Sequence, residues 1–180
     1  MTDATGSAPE APGAPNPASL AAAASSPSFL IRQALRDEAE TLGAVVSAAF
    51  QTEAAVYGDI PPLHETAADV EATFDAGDVT LAADLDGRTV GTIRGETMDD
   101  GTLMVRRLAV LPEARRMGLG RALLVALEAA YPNVQHFELF TGHRNGAALA
   151  LYESLGYVRT GSREVGPGVE LVTLEKRVAG

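Results

Sequence analysis

The pattern of apolar runs predicts an α/β fold: one domain with a mixed, mostly antiparallel sheet and helices on both faces. Three observations carry that prediction. Asp86-Gly87 separates two β-rich runs, a strong hairpin signal. Gly166-Pro167-Gly168 separates two more near the C-terminus. Between these hairpins a strand, an amphipathic helix and a second strand follow one another through residues 103–140, which implies one parallel crossover.

The elements follow in order. Residues 1–28 are mostly Ala, Pro and Ser, and the first basic residue is Arg32. A secretory leader begins with positive charge, so this segment reads as a disordered tail, with a short helix over Leu20–Ala24 left open. The folded domain is expected over 29–177. "FLIRQ" (29–33) reads as a strand. Leu35, Leu42, Val45, Val46 and Phe50 recur at helical spacing and predict a helix over 35–50. Residues 51–62 read as a loop stiffened by Pro61 and Pro62, and 63–78 as a second helix ending near Gly77. The hairpin occupies 79–96, and residues 98–101 form the next turn. "TLMVRRLAVL" (102–111) is apolar on both faces, as a central strand would be. Leu119, Leu123, Leu124 and Leu127 form one stripe of a helix over 118–131, which Pro132 stops. "HFELF" (136–140) is a strand, 145–156 a helix ending at Gly156, and 157–162 and 169–176 the closing strands.

Composition narrows the function classes. The 180 residues carry a net charge of −10, unlike the basic footprint that nucleic acid requires. With no Cys, a disulfide framework, a thiol nucleophile and a thiolate zinc site are all excluded. The absence of Cys suits a reducing cytoplasm, the expected compartment, and no apolar run approaches the roughly 20 residues that span a bilayer, so no membrane partner is expected. His64, His136 and His143 lack metal-ligand spacing, and no metal is expected.

The stretch "RRMGLGRALL" (115–124) carries the chemistry. A helix start presents orphan N–H groups and partial positive charge, a natural anion site. Gly118 and Gly120 let a ligand approach the backbone, and Arg115, Arg116 and Arg121 add charge, so a diphosphate is the favoured ligand. A P-loop would need Gly-Lys-Ser/Thr, which is missing. A dinucleotide fingerprint would need a third glycine where Leu123 stands. Two glycines could also be only a tight turn.

"RRLAVLPEARRMGLGRALL" followed by "NGAALALYESLGY" resembles the GNAT superfamily of acetyl-CoA-dependent N-acetyltransferases, in both order and spacing. The resemblance implies acetyl-CoA as co-substrate and a strand pair, 103–111 and 136–140, that splays to admit it. It implies that backbone N–H groups of Arg116, Met117, Gly118, Leu119, Gly120 and Arg121, with Arg115 opening the motif, hold the pyrophosphate. Leu108, Ala109 and Val110 would pair their main chain with the pantetheine arm. Asn145 would bond that arm, and Tyr152 would protonate the departing sulfur. Asn145 also suits a helix N-cap, and Tyr152 shares a stripe with Ala148, Leu149 and Leu155 as a core residue would.

Acetyl transfer needs a deprotonated amine, and an alkylammonium has a reference pKa of about 10.4. The strand 103–111 offers no carboxylate where many relatives have one; Arg106 and Arg107 stand there. Glu96 is the first candidate base, followed by His64 and Glu65. Glu53 ranks lower, and a water chain is the remaining alternative. A backbone N–H near Ala109 or Val110 would stabilise the oxyanion. Residues 51–66 and the hairpin near 163–169 should shape the acceptor pocket. Glu53, Asp59, Glu65 and Glu96 could draw a cationic small-molecule amine. A protein amine as acceptor, a non-catalytic acyl-CoA sensor and homodimerisation stay open.

Overall fold

A computed structural model describes residues 28–178. The expected tail, with its short helix, lies outside the described residues except for Ser28. The strands are β1 (Phe29–Gln33), β2 (Val79–Leu85), β3 (Arg88–Thr97), β4 (Leu103–Val110), β5 (His136–Gly142), β6 (Val158–Gly166) and β7 (Val169–Arg177). The helices are α1 (Ala39–Tyr57), α2 (Ala67–Asp75), α3 (Leu119–Ala130) and α4 (Gly146–Ser154).

The seven strands form one sheet in the order β1-β2-β3-β4-β5-β7-β6. Every neighbouring pair is antiparallel except β4 and β5. That parallel pair is short. Leu103 faces Phe137 and Met104 faces Glu138, and no further pairing joins the two strands. From Val105 onward the β5-side edge of β4 has no strand partner among the described residues, so the two strands part toward their C-terminal ends. The α/β sheet with one splayed parallel pair is therefore as the sequence predicted.

Strand periodicity distributes the core. Leu81 and Ala83 of β2 join α3 and α4 on one face, while Ala82 joins Leu42 of α1 and Val70 of α2 on the other. Leu119, Leu123, Leu124 and Leu127 are 0–1% exposed, and each contributes roughly 1.5–3 kcal/mol by leaving water. Gly95 lets α3 approach: a Cβ there would meet the Tyr131 ring and side chains of Leu103 and Leu127. The Tyr131 hydroxyl accepts from the Val79 N–H and donates to the Gly95 carbonyl, each at 3.0 Å. That double bond ties the end of α3 to β2 and β3.

The first two helices differ from the sequence expectation. Leu35 caps a 3-10 turn at Arg36–Glu38, and α1 begins only at Ala39. It then runs through the expected loop to Tyr57 and stops at Gly58, which has φ 79°. Residues 51–57 are Gln, Thr, Glu, Ala and Val with a terminal Tyr; most are tolerated in helix, and the polar ones had masked the period. The proline segment is a 3-10 turn at Pro61–His64. α2 starts after Thr66, whose hydroxyl accepts from the Asp69 N–H at 3.2 Å while Asp69 Oδ2 accepts from the Thr66 N–H at 2.9 Å. No described helix is long and apolar enough to cross a membrane.

Candidate active site

The start of α3 is bare. Its N-cap is Gly118, in the left-handed region at φ 85°, with no side chain to cap the helix. A Cβ on Gly118 would meet nothing within 4 Å, and one on Gly120 would make only ordinary contact with Leu151 at 3.4 Å. Among the described residues no acceptor meets the N–H groups of residues 116–121. Arg116 is also left-handed at φ 62°, a conformation that costs a non-glycine residue about 1–2 kcal/mol. The Leu119 side chain, by contrast, lies in the core, so only its backbone faces this site.

Arg115 does not stand free. Its guanidinium donates to the Ala49 carbonyl at 2.7 Å, to Thr52 Oγ1 at 3.3 Å and to the Val110 carbonyl at 3.2 Å. It therefore clamps α1 onto the end of β4. Arg121 donates to Ser154 Oγ at 3.2 Å, linking α3 to α4.

β4 bulges within its splayed part. Thr92 pairs with Ala109 but Arg94 with Arg106, so Arg107 and Leu108 together oppose Ile93. Arg107 takes up the extra residue at φ 52°. Ala109 is buried under Val46 and Ala49 of α1, while Leu108 and Val110 are partly exposed.

Asn145 caps α4, its Oδ1 accepting from the Ala148 N–H at 3.1 Å, and its Nδ2 donates to Glu53 Oε1 at 2.9 Å. Tyr152 is buried at 7% exposure, and its hydroxyl has no hydrogen bond among the described residues. Burial, then the Glu53 carboxylate, push its pKa well above the ordinary phenol value, so it keeps its proton at neutral pH. Burial also raises Glu53, against the opposing pull of Arg115 and Asn145.

Glu65 lies at the base of a cleft of about 650 Å³, lined by Asp59, Ile60, Pro61, His64, Asp69, Arg94 and Arg107 as well. Its side chain is 3% exposed and is held between Arg94 and Arg107, the latter donating from Nε at 2.7 Å. Arg94, 7% exposed, has no hydrogen-bond partner at Nε among the described residues. Burial works against the Arg94 charge and the Glu65 carboxylate works for it.

The candidate bases are thus dispersed. Glu65 has both oxygens against guanidiniums. Glu96 pairs with Arg106, and about 13 Å of strand separates it from Thr92, the partner of Ala109. His64 pairs with Asp59 at the exposed rim. Arg94 and the Arg115 clamp were missed by the sequence reading. Arg94 sits in the apolar hairpin run "TVGTIRGE", where a lone charge between Ile93 and Gly95 was the available signal.

One polar cluster lies elsewhere. His136, Glu138 and Glu175 bring ligand-type atoms within 4.8 Å of one another, because β5 and β7 pair Glu138 with Glu175. Both His136 nitrogens are engaged, by Thr102 at 2.9 Å and Glu175 at 2.9 Å. Chain spacing gave no hint of this meeting.

Comparison with known proteins places this geometry. The acetyltransferase (GNAT) domain family matches residues 76–159, from the turn before β2 to the start of β6. An N-acetylaspartate synthetase of Danio rerio is 35% identical over 121 residues, 63% of this chain and 43% of that protein. The chain spans only 43% to 49% of the length of the curated relatives it matches. A PaiA N-acetyltransferase of Thermoplasma acidophilum, solved with coenzyme A, shares the fold at TM-score 0.70 and 18% identity, over 84% of this chain and 99% of that one. A Salmonella typhimurium protein described as an acetyltransferase, solved with acetyl-CoA, aligns at TM-score 0.67 and 22% identity, over 83% of this chain and 93% of that one. With the splayed strand pair, the bare helix start and the matched family coinciding, the chain carries an acetyltransferase (GNAT) domain.

Proposed function

We propose that this chain moves an acetyl group from acetyl-CoA to the primary amine of a small molecule by direct attack, with Tyr152 as general acid. The observation that carries the reading is the run of N–H groups at 116–121 without acceptors, set beside the unpaired edge of β4. These amides hold the pyrophosphate, and the main chain of Leu108, Ala109 and Val110 offers the pantetheine arm a strand to pair with. Asn145 keeps a second Nδ2 hydrogen for that arm. Bound acetyl-CoA supplies an activated carbonyl. Tyr152, neutral by burial, supplies a proton to the departing sulfur.

The cleft around Glu65 receives the acceptor. Its acids are poor attractors of a cation, since Glu65 is matched by two arginines, Glu96 by Arg106 and Asp59 by His64. Arg94 and Arg107 in the cleft favour an amine that also bears an acid group. The name of the Danio rerio relative, an N-acetylaspartate synthetase, supports the same class.

The test is a panel of amines, in pairs with and without a carboxylate, assayed for thiol release from acetyl-CoA, together with calorimetry of CoA on wild type and Gly120→Glu. Wild type should bind CoA and turn over at least one acid-bearing amine faster than its partner. Gly120→Glu should lose binding at least 100-fold with no loss of thermal stability, since a helix interior prefers Glu to Gly. Unchanged affinity in that variant refutes the phosphate site. Binding without turnover on any amine is the result expected of a sensor module, and turnover only on peptide amines that of a protein acetyltransferase.

A further inference from the structure

Residues 49, 53 and 57 recur every four positions on α1 and share one face. Ala49 packs on Ala109 at the C-terminal end of β4. Tyr57 packs against Gly142 at the end of β5, where a Cβ would run into its ring, and its hydroxyl accepts from the Arg144 N–H at 2.6 Å. α1 therefore bridges the two strands where they have parted, and Glu53, midway along that face, is set over the opening between them. Its carboxylate is bonded to Asn145 at 2.9 Å and close enough to Tyr152 to raise the phenol. The charged and titratable groups that face it are Arg115 and Tyr152, with Asn145 the polar neighbour. Unlike Glu65 and Glu96, Glu53 has no guanidinium within ion-pair distance among the described residues.

We propose that Glu53 is the proton acceptor for the incoming amine, and that it then restores the proton Tyr152 gives up. The proposal rests on the acetyl-transfer reading. Glu53 takes one proton from the ammonium. The nitrogen–carbon bond forms as the carbon–sulfur bond breaks, and Tyr152 gives its proton to the departing sulfur. Glu53 passes its own proton to the Tyr152 phenolate, which resets both groups, and the amide nitrogen sheds its second proton to water. The sum converts ammonium and thioester into amide, thiol and one proton.

The test is Glu53→Gln, which keeps the oxygen that Asn145 donates to. The best alkylamine from the panel is compared with methoxyamine, whose nitrogen is unprotonated at neutral pH. The variant should lose about 10²–10⁴-fold in kcat on the alkylamine and less than tenfold on methoxyamine. The acid limb of its kcat/KM profile should disappear while CoA affinity stays within about twofold. A second readout needs no acceptor. Burial raises the folded pKa of Glu53, so its charge opposes folding above that pKa and the opposition vanishes below the ordinary carboxylate range. Glu53→Gln should therefore melt higher than wild type at pH 8 and equally at pH 3. Full activity in the variant, equal loss on both amines, loss of CoA affinity in step with kcat, or identical melting at all pH values would each overturn the assignment to Glu53. Wild type that binds CoA but acetylates nothing would instead overturn the acetyl-transfer reading, and the Glu53 role with it.

Discussion

Tyr152 owes both its proton and its place to burial. Its ring lies 6.0 Å from that of Tyr157 and faces the large core of α3, α4 and the sheet, so the proposed chemical role is asked of a residue that is also structural. Phenylalanine preserves the ring contacts and removes only the hydroxyl. Tyr152→Phe should fold with a melting temperature near that of wild type, bind CoA as tightly, and lose on the order of 10²-fold or more in kcat. Unchanged kcat would leave Tyr152 as core alone. This residue and Asn145 became candidates in the sequence because their spacing from the glycine motif is fixed along one short stretch. Glu53 ranked low there because its partner Asn145 is 92 residues away, and no local pattern reports such a meeting.

At the scale of elements, α3 is the most legible and α1 the least. The leucines of α3 repeat at helical spacing, and all four are buried as expected. Leu127→Ala should cost about 2–5 kcal/mol in denaturant unfolding, since its site against Gly95 and Tyr131 is too tightly packed to collapse. A loss below 1 kcal/mol would show that α3 is not wedged there. α1 was drawn too short because its second half is exposed or only half-buried, and polar atoms make its contacts with the rest of the fold. Thr52, Glu53 and Tyr57 meet the site through hydrogen bonds, so hydropathy carried no period. Arg115 was read as a phosphate contact from its place in the motif, yet its donors reach α1 and β4, a tertiary fact outside the reach of spacing.

Across the molecule, the two faces of the sheet divide labour. One face packs α3 and α4 into the larger core; the other carries α1, α2 and the buried Arg94–Glu65–Arg107 cluster. Removing the shared acid leaves guanidiniums facing each other with little water. Glu65→Ala should therefore cost about 3–5 kcal/mol, measured by chemical denaturation. A near-neutral result would mean that water reaches Arg94 freely. The hairpins and the single crossover were readable from turn residues, whereas the placement of β7 between β5 and β6 was not, since strand order depends on long-range pairing.

The β4 edge that lacks a strand among the described residues from Val105 onward has a consequence for stability. A peptide edge left without its mate weakens the native state, and a small molecule that binds only that state adds about 2.7 kcal/mol when present at 100 times its dissociation constant. Withdrawing such a molecule would return the fold to its lower stability.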